Sequence, residues 1–289
     1  MPILPMDIDI LPPSDDRVFK LLLVSPEAKP ALIDLISVLI NLPVTDVVIR
    51  NNELPLGDSQ EKAERLDLNC VTDNNIQVDV EMQASHIKEL LGGHENLFGK
   101  SIYYLCDLHS SQSSIGKSYD ELARTYQITF CMYPLFPERK GFINSFSMRH
   151  DTDNGLLHDA IHAVFVELSK LDEVLKKPVD EMTDLEKWAV FFRYANVPEY
   201  REVANKVIES KEVLKMAGTL LTGISKDERE RAIFRSRRMY QSDQDSNMAT
   251  TRKEERLIIA KNLLGLDMPI EKIVLATGLT REEVEGLLR

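Results

Sequence analysis

The sequence predicts an α/β chain: a mixed sheet flanked by helices, followed by an all-helical C-terminal region. Three observations carry this. Two stretches, 65–69 and 78–83, alternate apolar and polar residues on either side of Val71-Thr72-Asp73-Asn74-Asn75, which has the Asn/Asp chemistry of a turn. Helical and strand-like patterns interleave from the N-terminus to about residue 149. From Leu156 onward the character changes to helices without strands.

The elements follow in order. After Pro12-Pro13, Ser14 is the expected N-cap of a first helix, with Asp15 and Asp16 suited to the positive end of its dipole. Residues 26–41 predict a second helix whose Leu32, Ile33, Leu35, Ile36, Leu39 and Ile40 belong in the core. Residues 45–51 read as a strand and 52–62 as a loop before the hairpin. A helix over 94–111 and strands over 124–133 and 142–149 come next. The polar turn 151–155 is a first candidate boundary, and the apolar-poor stretch 241–251 reads as a linker and a second one. Helices over 253–264 and 269–277 precede a last one over 281–289, which Thr280 and Glu283 equip with a capping box. The expected regions are therefore 1–150, 151–245 and 246–289, the last resembling a helix-turn-helix.

A chain of 289 residues can bury a sizeable core. Its three cysteines, Cys70, Cys106 and Cys131, have no paired spacing, which favours reduced thiols over a disulfide framework or zinc site. The N-terminus lacks the basic and apolar segments of a signal peptide. The most apolar run, 31–42, is interrupted by Asp34 and too short to span a bilayer. A cytoplasmic protein without membrane contact is expected. The net charge of −12 opposes non-specific nucleic-acid binding, which phosphate contacts supply. Any contact with DNA must be local, metal-assisted or supported by a partner.

The strongest chemical signal lies on the hairpin. Successive strand residues point to opposite faces, so Asp79, Glu81 and Gln83 share one face while Val78, Val80 and Met82 share the other. A register centred on Asn74 sets Asp67 opposite Glu81, with Cβ atoms roughly 4.5–5.5 Å apart and like charges repelling. A cation between two such carboxylates relieves that repulsion, and oxygen ligands suit Mg²⁺ or Mn²⁺. A half-exposed hairpin with acids on its wet face has the same pattern, and in that reading Asp79 is simply solvated.

An acidic residue, a spacer and then Glu-x-Gln on a strand resembles the PD-(D/E)XK phosphodiesterase superfamily in its Gln-ending variant. The chain is similar in particular to the recombination-promoting nuclease and transposase group of bacteria. Ser14-Asp15-Asp16-Arg17-Val18-Phe19-Lys20 resembles that group's Asp-x-x-Phe-Lys signature, and 62–67 its Lys-x-x-x-x-Asp approach to the first strand. Gly99-Lys100-Ser101-Ile102-Tyr103-Tyr104, Gly116-x-x-Tyr119 and Tyr126-Gln127-Ile128-Thr129-Phe130 resemble the segment after Glu-x-Gln. Arg235-Ser236-Arg237-Arg238 and 277–283 extend the likeness over nearly the whole chain.

The resemblance implies a restriction-endonuclease-like core within 1–150 and a metal-dependent DNA endonuclease using Mg²⁺ or Mn²⁺. It makes Asp67 and Glu81 metal ligands, with the backbone carbonyl of Met82 as a third. Gln83 stands where most of the superfamily has Lys. An amide orients water but carries no charge and is no base, so activating the attacking water falls mainly to the metal. Lys100 is the candidate substitute cation, and Asp16 a candidate helper acid, although Asp16 and Lys20 also have the spacing of an intrahelical ion pair. The alternative is a catalytically weak or inactive nuclease fold acting as an interaction or regulatory module.

Three further patterns carry less. His158 and His162 have i, i+4 spacing on an expected helix, without the Glu or third ligand of a zinc protease. Arg231, Arg235 and Arg238 share a helical face that is interleaved with acids. The last helix carries Glu282, Glu283 and Glu285, so Val284, Leu287 and Leu288 suit a homo-oligomer contact better than DNA reading.

Overall fold

The structure, a computed structural model, describes residues 2–51, 68–84, 93–113 and 118–288. The chain divides into two compact units, Met1–Arg231 and Ala232–Arg289.

The first unit opens with an extended segment tied down by side chains: Asn205 accepts from Leu4 N and donates to Leu4 O, and Ser225 Oγ accepts from Leu11 N. Helix α1 (Asp16–Val24) starts one residue later than its expected cap. Asp15, not Ser14, is the N-cap, its carboxylate accepting from the Arg17 and Val18 amides, while Ser14 is buried. A 3₁₀ turn over Pro26–Ala28 leads into α2 (Lys29–Ile40), which ends on Asn41 in the left-handed region at φ 53°. Strands β1 (Val47–Asn51), β2 (Leu68–Thr72) and β3 (Gln77–Gln83) follow, then α3 (Gly93–Ser110), β4 (Thr125–Cys131), β5 (Ile143–Ser147) and β6 (Ile161–Glu167). They form one mixed six-stranded sheet in the order β1-β2-β3-β4-β6-β5. The β3–β4 and β4–β6 pairs are parallel and the others antiparallel. A parallel pair needs a crossover, and α3 supplies it between β3 and β4.

Strand β6 corrects the expectation that residues after 156 are helical. Ile161-His-Ala-Val-Phe-Val-Glu167 lies beside β4, with Val164 to Glu167 buried. A strand covered on both faces loses the alternation that marks a half-exposed one. The sheet therefore continues beyond residue 150, and the helices begin only after it: α4 (Asp172–Leu175), α5 (Asp184–Tyr194), α6 (Arg201–Glu209) and α7 (Glu212–Lys226).

The two faces of the sheet differ. Phe19 of α1 meets Phe130 of β4 at 6.0 Å and Phe192 of α5 at 5.3 Å, so α1 and α5 cover the Val80, Met82, Ile128, Phe130 side. Trp188 is fully buried beside Phe192, and its indole N–H is satisfied by Asp34 Oδ2 at 2.8 Å. Helix α3 covers the other side, where Leu97 packs with Cys131, Tyr133, Leu135 and Phe165.

Helix α8 (Glu228–Leu264) begins in the first unit, where Arg17 makes a two-pronged ion pair with Glu230 at 2.7 and 2.9 Å. The expected linker over 241–251 is helical and lies inside α8. Polarity alone does not break a helix, and this stretch has no Gly or Pro. Gln241 bonds to Asp245, and Thr250 and Thr251 bond to carbonyls four residues back. In the second unit, Ala260 of α8, Ile273 of α9 (Ile270–Thr277), Leu279 and Val284 of α10 (Arg281–Gly286) form a separate core. The Thr280–Glu283 capping box is present. Val284 is fully buried in that core, whereas Leu288 is exposed.

Candidate active site on strand β3

The β2–β3 ladder pairs Leu68 with Val80, Asn69 with Asp79, Cys70 with Val78 and Val71 with Gln77. Each pair sums to the register centred on Asn74. The turn forms because Asn75 adopts φ 61° and Thr72 Oγ1 accepts from Ile76 N. Asp67, like the 52–62 loop, lies outside the described residues.

The acids of β3 are not on a wet face. Asp79 is 5% exposed and Glu81 is 6%, because β3 is interior to the sheet and α3 lies over this side. A solvated Asp79 and a half-exposed hairpin are therefore corrected together: the face is polar and buried. Glu81 forms an ion pair with Lys100 of α3, and Lys100 also sits 5.4 Å from the centre of the Tyr104 ring. Lys100 keeps contact with solvent while Glu81 does not, so the ammonium reaches inward from the surface. Gln83, half-buried at the end of β3, uses its backbone carbonyl to accept from Met132 N. Gln77 N and Gln83 O both bond toward β4, so strand alternation turns the Met82 carbonyl toward β2, while its side chain is buried on the apolar face.

Asp16 is half-buried at the start of α1, on the helix that packs the apolar face of the sheet. The structure thus brings Glu81 and Lys100 together and sets Asp16 on the helix across the sheet. Lys20 is fully buried, an environment that requires acidic company for its ammonium. Strand β4 adds residues that were assigned no site role from the sequence: Gln127 stands directly beside Asp79 and Thr129 beside Glu81 in the parallel register, both buried. Their signal was present as the polar alternation Thr125, Gln127, Thr129.

His158 and His162 do not share a helix. His162 lies on β6, stacked 4.5 Å from Tyr126 with Nε2 2.9 Å from Asp159. Arg231 is engaged within the chain, by Asp9 and by the carbonyl of Ser225.

Among the described residues, no three His, Cys, Asp or Glu side chains gather as a metal site. The donors that β3 does offer, the buried carboxylates of Asp79 and Glu81 and a carbonyl turned to the β2 side, are hard oxygens that fit Mg²⁺ or Mn²⁺.

Burial, reinforced by the nearby Asp79 carboxylate, pushes the Cys70 thiol up to about 12. Cys131 is also buried, and Cys106 on α3 is exposed. In native protein at neutral pH, a thiol reagent should label Cys106 alone, with all three reacting after denaturation. Mass spectrometry of the alkylated protein checks this; rapid native labelling of Cys70 would contradict its burial.

A mixed six-stranded sheet with flanking helices, followed by C-terminal helices, is the PD-(D/E)XK nuclease type of fold. Residues 13–251 match the family model described as PD-(D/E)XK nuclease family transposase, and the chain belongs to that family. No curated protein and no solved structure matches it. Membership marks the chain as nuclease-type, and PD-(D/E)XK nucleases generally use divalent metal ions. No helix among the described residues is long and apolar enough to cross a membrane.

Proposed function

We propose that the protein is a metal-dependent DNA endonuclease that hydrolyses phosphodiester bonds. The observation that carries this is the buried Glu81 of the Glu-x-Gln strand, held against Lys100 of the crossover helix in a chain of this family. Asp67, assigned from the sequence, would join Glu81 and the Met82 carbonyl in holding Mg²⁺ or Mn²⁺. The ion would supply Lewis-acid polarisation of the phosphoryl group and a lowered pKa for the attacking water. Glu81 holds the ion and sets its position. Gln83 orients water by hydrogen bonds and moves no proton. Lys100 neutralises Glu81 while no cation is bound, and its solvent-reaching ammonium would turn to a substrate phosphate once the ion takes its place. Asp16 is assigned as a helper acid from the opposite helix.

DNA is the proposed substrate, bound through few local contacts because the chain carries −12 overall. The same Glu81–Lys100 pair favours a second reading. A carboxylate already paired with an ammonium, beside Gln where the superfamily has Lys, also suits a non-catalytic interaction module.

Nicking of supercoiled plasmid at low salt separates the two. Wild type should nick with Mg²⁺ or Mn²⁺, stop with chelator and lose activity steeply as salt rises, while Asp67→Ala should not nick. Equal slow nicking by wild type and Asp67→Ala would mark contamination and leave the interaction module.

A further inference from the structure

Helix α3 runs along β4. Leu97 packs against Cys131 at one end, and His109 Nδ1 lies 2.9 Å from Thr125 Oγ1 at the other. Twelve helical residues and six strand residues both span about 18–20 Å, so Ser101 falls between, above the stretch from Gln127 to Thr129. Ser101 and Thr129 are fully buried and Gln127 is 1% exposed. The strip is satisfied at its Thr125 end, where His109 and Gln112 both bond to the hydroxyl. It is unsatisfied in the middle: both amide atoms of Gln127 and the hydroxyls of Thr129 and Ser101 have no hydrogen-bond partner among the described residues. Asp79 and Glu81 stand directly beside Gln127 and Thr129.

Buried polar groups in native proteins are nearly always bonded to protein or ordered water. Four such atoms in one place, each of which an apolar isostere would remove, cost stability unless something external meets them. We propose that Gln127, with Thr129 and Ser101, is a positioning layer for the site: its amide holds ordered water against the Asp79 and Glu81 carboxylates and fixes the orientation in which Glu81 receives a divalent ion. This rests on the metal-dependent reading above. Gln127 acts through Glu81 and touches neither phosphate nor ion.

The test uses Gln127→Met and Thr129→Val, which keep volume and remove the unpartnered atoms. Thermal melting is followed in chelator and across a titration of Mg²⁺ and of Mn²⁺, with plasmid nicking in parallel. In chelator both variants should melt no lower than wild type. Outer-layer partners of metal ligands typically govern 10–100-fold in affinity or activity, so both should need at least about tenfold more ion for the half-maximal shift and nick at least about tenfold more slowly. A wild-type half-shift concentration in both variants overturns the proposal, as does lower metal-free melting in both, which would make the layer merely structural. No divalent-ion shift in wild type overturns it as well. A wild type that shifts with metal but does not nick removes the nuclease reading alone, and the shift titration still decides the role of Gln127.

Discussion

Glu81→Gln is expected to reduce metal-dependent plasmid nicking on the order of 10³-fold. A bound ion supplies several kcal/mol of transition-state stabilisation, and each ~1.4 kcal/mol is a factor of ten in rate. The substitution keeps shape and burial but replaces a carboxylate with a neutral amide, so the ion loses its charged ligand on β3. It also removes the partner of Lys100, whose ammonium can turn to solvent because it is already partly exposed. Folding should therefore survive, and circular dichroism should show it. Lys100→Met completes the comparison. If Lys100 only neutralises Glu81, its loss leaves a buried carboxylate that binds Mg²⁺ more tightly, and nicking saturates at lower metal. If Lys100 also meets phosphate, the maximal rate falls as well. Nicking rates against metal concentration for the three proteins separate these cases. A Glu81→Gln protein that nicks within a few-fold of wild type would remove Glu81 from the site.

The second large effect is on stability, at Glu167. This fully buried carboxylate ends β6 and accepts from Leu135 N at 2.7 Å, Phe136 N at 3.2 Å, Asn144 Nδ2 at 2.8 Å and Lys170 Nζ at 2.8 Å. It ties the chain beyond β4 to β5 and to the turn after β6. Glu167→Ala removes the acceptor of two backbone amides and the partner of a mostly buried ammonium. Breaking a buried pair by deleting one partner costs about 3–5 kcal/mol. At about 2–4 °C per kcal/mol for a unit of this size, the melting point should fall on the order of 10 °C. Glu167→Gln should cost less, since an amide oxygen still accepts. A drop of under about 2 °C for Glu167→Ala, against that scale, would mean that water replaces the carboxylate. Glu167 also stands in line with Gln83 and Cys131 across the parallel strands, so its loss should loosen the end of the sheet where the site lies.

Much of the hairpin was legible locally. Asn74-Asn75 and the flanking alternation specify a turn and a register, and the observed pairs of β2 and β3 follow it. The Thr280 cap was legible for the same reason: a side chain bonds to its own helix start. Family membership was readable from motifs in order along the chain.

Other features were set by packing between distant segments. Strand β6 escaped because a strand buried on both faces shows an apolar run without alternation. The helix over 241–251 escaped because its polar residues tolerate a helix that neighbouring turns propagate. The acidic face of β3 looked wet because alternation reports two faces and never says what covers them. Helix α3 and strand β4 decide that. They turn Asp79 and Glu81 inward, bring Lys100 to Glu81, and set Gln127 and Thr129 beside the two acids. Residue types, turn and register belong to neighbours in the chain, whereas burial and charge pairing belong to the fold. The sequence by itself thus determined the residue types, the turn and the register, and only the tertiary structure decided which side chains meet, because a strand's partners are chosen across the sheet.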